Sequence, residues 1–128
     1  MRARVGLVAA VILLTAVAAY VATRRVDADV PLATSSPGRF LNGCPAARLD
    51  GLLVPDSGAG TAVEAGSERK PIIWPFGYTA HRTSSGVVEV RDLLGVVVAR
   101  TGENLALGGG EITNDGRWST CGPPLDRR

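Results

Sequence analysis

His81 is the only histidine of the chain, and Ser84 and Ser85 follow it three and four positions later. With Asp92 downstream, these residues are the parts of a Ser-His-acid hydrolase, where an imidazole takes the hydroxyl proton and a carboxylate orients the ring. The serines lack the Gly-x-Ser-x-Gly elbow that presents such a nucleophile. A surface-loop histidine is therefore the expectation, and a small hydrolase the remote one. Trp74, Phe76 and Tyr78 offer different chemistry. They alternate, and in an extended segment alternate residues share one face. Such a row could stack on a sugar or a peptide, with Arg82 at its rim. The competing expectation is core or barrel-lid packing, with bends at Pro75 and Gly77 setting the exit of a strand.

Other motifs carry less. Gly108-Gly109-Gly110 is followed by no Gly-Lys-Ser/Thr, so a phosphate loop is not indicated. Glycines after a strand more often permit a bulge or the closure of a barrel. One histidine and two distant cysteines do not make a zinc set, so no metal is expected. Haem-carrying tethered barrels pair a histidine with a tyrosine four residues later, where this chain has Ser85. No cofactor is expected, and no pair of carboxylates stands out for acid–base work.

Cys44 and Cys121 bracket 78 residues. A domain of that size buries only about 60–65% of its unfolded surface and gains much from a covalent link. A bond between them is worth about 4 kcal/mol in the chain-entropy description. Redox-active pairs sit close in sequence, so a structural staple is expected. Such a staple belongs in an oxidising compartment.

The N-terminus points to the same compartment. Val5–Ala22 is uncharged over eighteen positions, flanked by Arg2, Arg4, Arg24 and Arg25. As a helix it would reach roughly 27 Å, close to the hydrocarbon thickness of a bilayer. An uncleaved signal-anchor is expected, giving a single-pass protein of the cell membrane whose C-terminal domain lies outside the cytoplasm. A cleaved signal, with Ala16-Val17-Ala18 at the site and a secreted product, is the alternative. Leu41-Asn42-Gly43-Cys44 faintly resembles a lipoprotein processing site. It lies about twenty residues past the apolar core, too far to be processed as one.

The formal charge is +2, but the tails carry the excess. Between Phe40 and Pro124 seven basic residues face nine acidic ones, a balance of about −2. Nucleic-acid modules need clustered cations, so no nucleic-acid partner is expected. Thirteen arginines against one lysine suggest a GC-rich bacterial genome.

The elements that must position these residues read as strands. Arg48–Val54, Pro71–Trp74, Gly86–Arg91, Gly95–Arg100, the segment around Leu105 and Leu107, and Arg117–Cys121 all fit a period near two. Asp92-Leu93-Leu94-Gly95 suits a type I turn, and Asn114-Asp115-Gly116 is a further turn signal. Leu93 and Leu94 are unusual at a hairpin tip; they are expected to tuck under a loop, or else to form an exposed knob for a partner or a bilayer. Pro55–Gly66 reads as loop, with Thr61–Glu68 a weak helical candidate. The organisation expected is residues 1–25 as signal-anchor or signal peptide, 26–43 as flexible linker, 44–122 as a small β-barrel and 123–128 as a tail. The fold class is all-β: a five- to six-stranded OB-like (oligonucleotide/oligosaccharide-binding type) barrel preceded by one N-terminal hydrophobic helix, with a small open sandwich as alternative.

Trp74-Pro75-Phe76-Gly77-Tyr78, the Asp92…Gly95 hairpin and Gly102-Glu103-Asn104-Leu105-Ala106-Leu107-Gly108-Gly109-Gly110 together resemble a pattern in small secreted or membrane-anchored bacterial proteins. The likeness covers about residues 48–121 and implies no activity. The function expected is a non-catalytic interaction or structural module, attached to a membrane by its N-terminal helix and able to meet an extracytoplasmic protein partner. A sugar- or peptide-binding module using the aromatic row is the alternative.

Overall fold

The computed structural model describes residues 28–112 and 115–128, and Ile12 ahead of them. Apart from Ile12, which is helical and exposed, the apolar run expected to form the N-terminal helix lies outside the described residues. Among the described residues no helix is long and apolar enough to cross a membrane. From residue 28 onward the described chain is all-β. Its strands are β1 (Ala28–Val30), β2 (Ala47–Asp56), β3 (Gly60–Ala65), β4 (Glu68–Ile73), β5 (Thr79–Arg82), β6 (Val88–Arg91), β7 (Val97–Arg100), β8 (Asn104–Glu111), β9 (Trp118–Thr120) and β10 (Asp126–Arg127).

Five of these strands close a barrel. β2 pairs antiparallel with both β3 and β8, β3 with β4, and β8 with β9. The ring is completed by a parallel contact in which Ile72 meets Trp118 and Ile73 meets Ser119. A Cβ on Gly109 would overlap the Ser119 carbonyl, so glycine is needed where β8 serves β2 on one edge and β9 on the other. The triple glycine lies within β8 rather than after a strand, and of the three it is Gly109 that meets the β9 backbone.

The long excursion between β4 and β8 supplies β5, β6 and β7, which with the N-terminal β1 form a second sheet in the order β1-β5-β6-β7. Its inward residues Ala80, Val90 and Ala99 are buried, and Val90 and Ala99 join one core cluster with the barrel residues Leu49, Leu53, Val63, Ile72, Leu105, Leu107 and Trp118. Alternation along β6, buried at Val88 and Val90 and partly exposed at Glu89 and Arg91, makes this sheet one-sided. Five to six strands were expected in one barrel; of the segments read as strands, Gly86–Arg91 and Gly95–Arg100 correspond to β6 and β7 of this second sheet, while β1, β3, β5 and β10 were not read as strands.

Several boundaries differ from the sequence reading. Residues 26–43 were expected to be a flexible linker, yet Ala28–Val30 pair with Ala80–Arg82, and Thr34 bridges Trp74. No apolar period marks this stretch, because its attachment is through backbone hydrogen bonds: Ala33 N–H to the Ala59 carbonyl, and Ser35 N–H to that of Trp74. The 123–128 tail is likewise paired. Asp126 and Arg127 face Ala106 and Leu105, and the Leu125 side chain covers Gly108. Pro55–Gly66 is mostly strand rather than loop, and Thr61–Glu68 holds no helix. Gly60–Val63 is buried throughout, so the alternation that identifies half-exposed strands is absent there.

Candidate functional site

The segment 74–78 is a turn, not an extended row. Trp74 N–H donates to the Ala33 carbonyl at 2.9 Å, and the Tyr78 N–H reaches back to the Pro75 carbonyl at 3.2 Å. Gly77 takes φ +83°, and a Cβ there would strike Leu93 Cδ1. This reversal folds the Tyr78 ring back onto Trp74, with centroids 6.0 Å apart and planes at 19°. Trp74 is wholly inaccessible, and its indole N–H donates to Thr61 Oγ1 at 2.8 Å. The expected stacking row is therefore taken apart. Trp74 belongs to the core, and Phe76 stands out at the turn with 57% of its surface exposed.

Phe76 and Tyr78 open onto different clefts. Phe76 lines one of about 280 Å³ with Ser35, Arg39, Phe40, Leu41 and Pro75. Tyr78 lines another of about 330 Å³ with Asp29, Leu32, Thr34 and Thr79. Its phenol is held above the ordinary range, first by burial and then by the nearby Asp92 carboxylate. Arg82 lines neither cleft. It is exposed at the far end of β5, four residues and about 13 Å of strand from Tyr78. The structure does not bring Arg82 to the rim of the aromatic cluster.

His81 lies within β5 instead of a surface loop. It sits in register with Asp29 on one side and Glu89 on the other, and its Nδ1 is 3.5 Å from the Asp29 carboxylate. Glu89 in turn meets the Arg100 guanidinium at 2.8 Å. The acid of the paper triad has another task. Asp92 Oδ1 accepts from the Leu94 and Val96 amides, holding the β6–β7 turn. Ser85 Oγ shares a 2.9 Å hydrogen bond with Thr83 Oγ1. Among the described residues no three His, Cys, Asp or Glu side chains gather as a metal site would require.

Cys44 and Cys121 are bonded, with Cα atoms 5.9 Å apart. They flank β8 at the same level: β2 begins beside Gly109 and β9 ends beside it, at Ala47 and Thr120. The bond thus ties the entry and exit strands of the barrel across the strand between them.

The surface feature that the sequence signalled only in part is apolar. The Asp92–Gly95 turn forms as expected, with Gly95 N–H on the Asp92 carbonyl at 3.0 Å. Its two leucines do not tuck under a loop. Leu93 rests one methyl against Gly77, yet it is 70% exposed, and Leu94 is 86% exposed. Val96 and Phe76 are exposed beside them, and Leu41 shares the Phe76 cleft. Large apolar side chains in turn segments were the available signal. Their convergence from three separate turns was not visible in one dimension.

Comparisons of the chain with protein-family models, curated proteins and solved structures find no match.

Proposed function

We propose that this chain is an extracytoplasmic interaction or structural module, held at a membrane by residues 1–25 and built on an OB-like barrel. The observation that carries this reading is the Cys44–Cys121 bond across the barrel's closing strand. Bonds of this kind persist in oxidising compartments, and the uncharged run Val5–Ala22 is the means of reaching one. Cleavage of that run would give a secreted form of the same module.

The OB-like assignment is supported by five closed strands in the order β2-β3-β4-β9-β8, with the β4–β9 contact parallel. OB barrels take oligonucleotides over the second and third strands. Here those are β3 and β4, and several features argue against such a ligand. Residues 31–34 lie across β3, with Pro31 against Gly60. The β4 cations are already paired, Arg69 with Asp56 and Glu64, and Lys70 with Glu111. The burial of Trp74 supports a module that acts by protein contact rather than through a stacking row.

A second reading rests on the Tyr78 cleft, whose polar wall of Asp29, Thr34 and Thr79 beside an aromatic edge suits a small sugar or peptide. Titration with such ligands should shift the resonances of Thr34, Tyr78 and Thr79 together if the cleft is used. The principal reading is tested by two measurements in growing cells. A C-terminal alkaline phosphatase fusion should be active, and Cys44 and Cys121 should resist a thiol reagent until a reductant is added. An inactive fusion together with freely labelled thiols overturns the reading.

A further inference from the structure

We propose that the apolar tip made by Phe76, Leu93, Leu94 and Val96 rests on the bilayer surface from which the chain emerges. The proposal rests on the membrane-tether reading and names the surface that the tethered module contacts. Four large apolar side chains on two neighbouring turns, all more than half exposed, form a patch of the kind that marks contact sites on soluble domains. Leu41, 87% exposed, extends it through the Phe76 cleft. The turns themselves are firm. Asp92 holds the β6–β7 turn with two amide hydrogen bonds, and Leu93 seats against Gly77. A rigid apolar projection loses little conformational freedom on insertion.

The tether decides which occupant is favoured. Only Thr23–Asp27 separate the uncharged run from β1, and five residues span at most about 17 Å. A body of about a hundred residues has a radius of gyration near 13 Å. It is therefore held against the bilayer and must turn some face toward it. Ala28 stands level with Arg82 and Val88, and the tip lies at the opposite end of the same sheet. Five residues of strand and turn separate the two levels, about 16 Å. With the sheet tilted over, the tether attaches one end and the apolar tip the other. An exposed cation flanks the tip: Arg39, over the Phe40 ring at 5.8 Å and lining the Phe76 cleft. It suits the headgroups of anionic lipid, whereas Arg91 at the end of β6 is already paired with Glu89.

The test uses the full chain in vesicles of phosphatidylcholine and phosphatidylglycerol. A photoreactive benzoylphenylalanine replaces Leu94 or, as an exposed apolar reference on another surface, Leu125. Irradiation should yield lipid adducts at position 94 well above those at 125. Combining Leu93→Asp and Leu94→Asp, with the photoprobe moved to position 76, should lower the lipid adduct there by about tenfold or more. An intact disulfide and unchanged tryptophan fluorescence will show that this variant folds. Equal adducts at 94 and 125, or adducts at 94 mainly to a second copy of the chain, overturn the proposal. Retention of the chain in alkaline carbonate without tip adducts overturns the docking alone. Release of the chain by carbonate overturns the tether reading and the docking with it.

Discussion

Replacing both bonded cysteines, Cys44→Ala with Cys121→Ala, should destabilise the domain chiefly through its unfolded state. The bond joins residues separated by 77 positions. The chain-entropy relation then gives about 15 cal/mol/K, or about 4.5 kcal/mol at 25 °C. Little should be lost from the native state. Cys44 is exposed and Cys121 only half-buried, so truncation opens no cavity. The strands they tie remain paired on either side of β8. With a urea dependence of about 1.5 kcal/mol/M for a domain of this size, the midpoint should fall by about 3 M. The assay is urea unfolding of the full-length chain in mild detergent, followed by the fluorescence of buried Trp74 and Trp118. Wild type in excess reductant serves as a second measure of the same loss. A midpoint shift below about 0.5 M would refute the reasoning, for it would mean that the unfolded chain gains no freedom when the link is removed. A large shift accompanied by altered native spectra would refute it differently, by placing the effect in the folded barrel.

Three further outcomes follow from other parts of the molecule. Thr61→Val leaves the buried Trp74 indole N–H without its acceptor and should cost about 1–3 kcal/mol; a double-mutant cycle with Trp74→Phe should show the two changes to be coupled, and simple additivity would count against the bond. Gly109→Ala drives a Cβ into the Ser119 carbonyl and should cost about 1–3 kcal/mol or more, read as a lowered urea midpoint. Acid should weaken the fold through Asp56 and Glu103. The Ala59 amide first, and the Arg69 pair after it, hold Asp56 below its ordinary value of 3.8, against the opposing effect of burial. The Arg127 guanidinium does the same for Glu103, below 4.5. A carboxylate depressed in the folded state contributes stability that is complete above its unfolded pKa and lost as pH falls through the folded one. The loss should therefore begin near pH 4 and deepen below it. Stability curves for Asp56→Asn and Glu103→Gln should be flatter in that range, and parallel curves would contradict the assignment.

The strands that could be read in advance were those with one wet and one dry face. Val88 and Val90 alternate with Glu89 and Arg91, and Leu49 and Leu53 recur at even spacing, so local sequence carries their structure. β3 escaped because Gly60–Val63 is dry on both faces, a condition imposed by the barrel within and by residues 31–34 without. β1 and β10 escaped because their attachment is through backbone hydrogen bonds, which leave no side-chain signature.

From residue types and spacing alone came the all-β character, the pairing of two cysteines and the uncharged N-terminal run, since each is a property of a single segment or of a pair with no rival. The fate of the aromatics and leucines required the folded chain. Whether Trp74 faces solvent depends on a reversal at Gly77 and on Thr61, thirteen residues earlier on another strand. Whether Leu93 and Leu94 stand exposed depends on what the 75–78 turn leaves uncovered. Burial is settled by which surfaces meet in three dimensions, and no periodicity along the chain encodes the meeting of two turns.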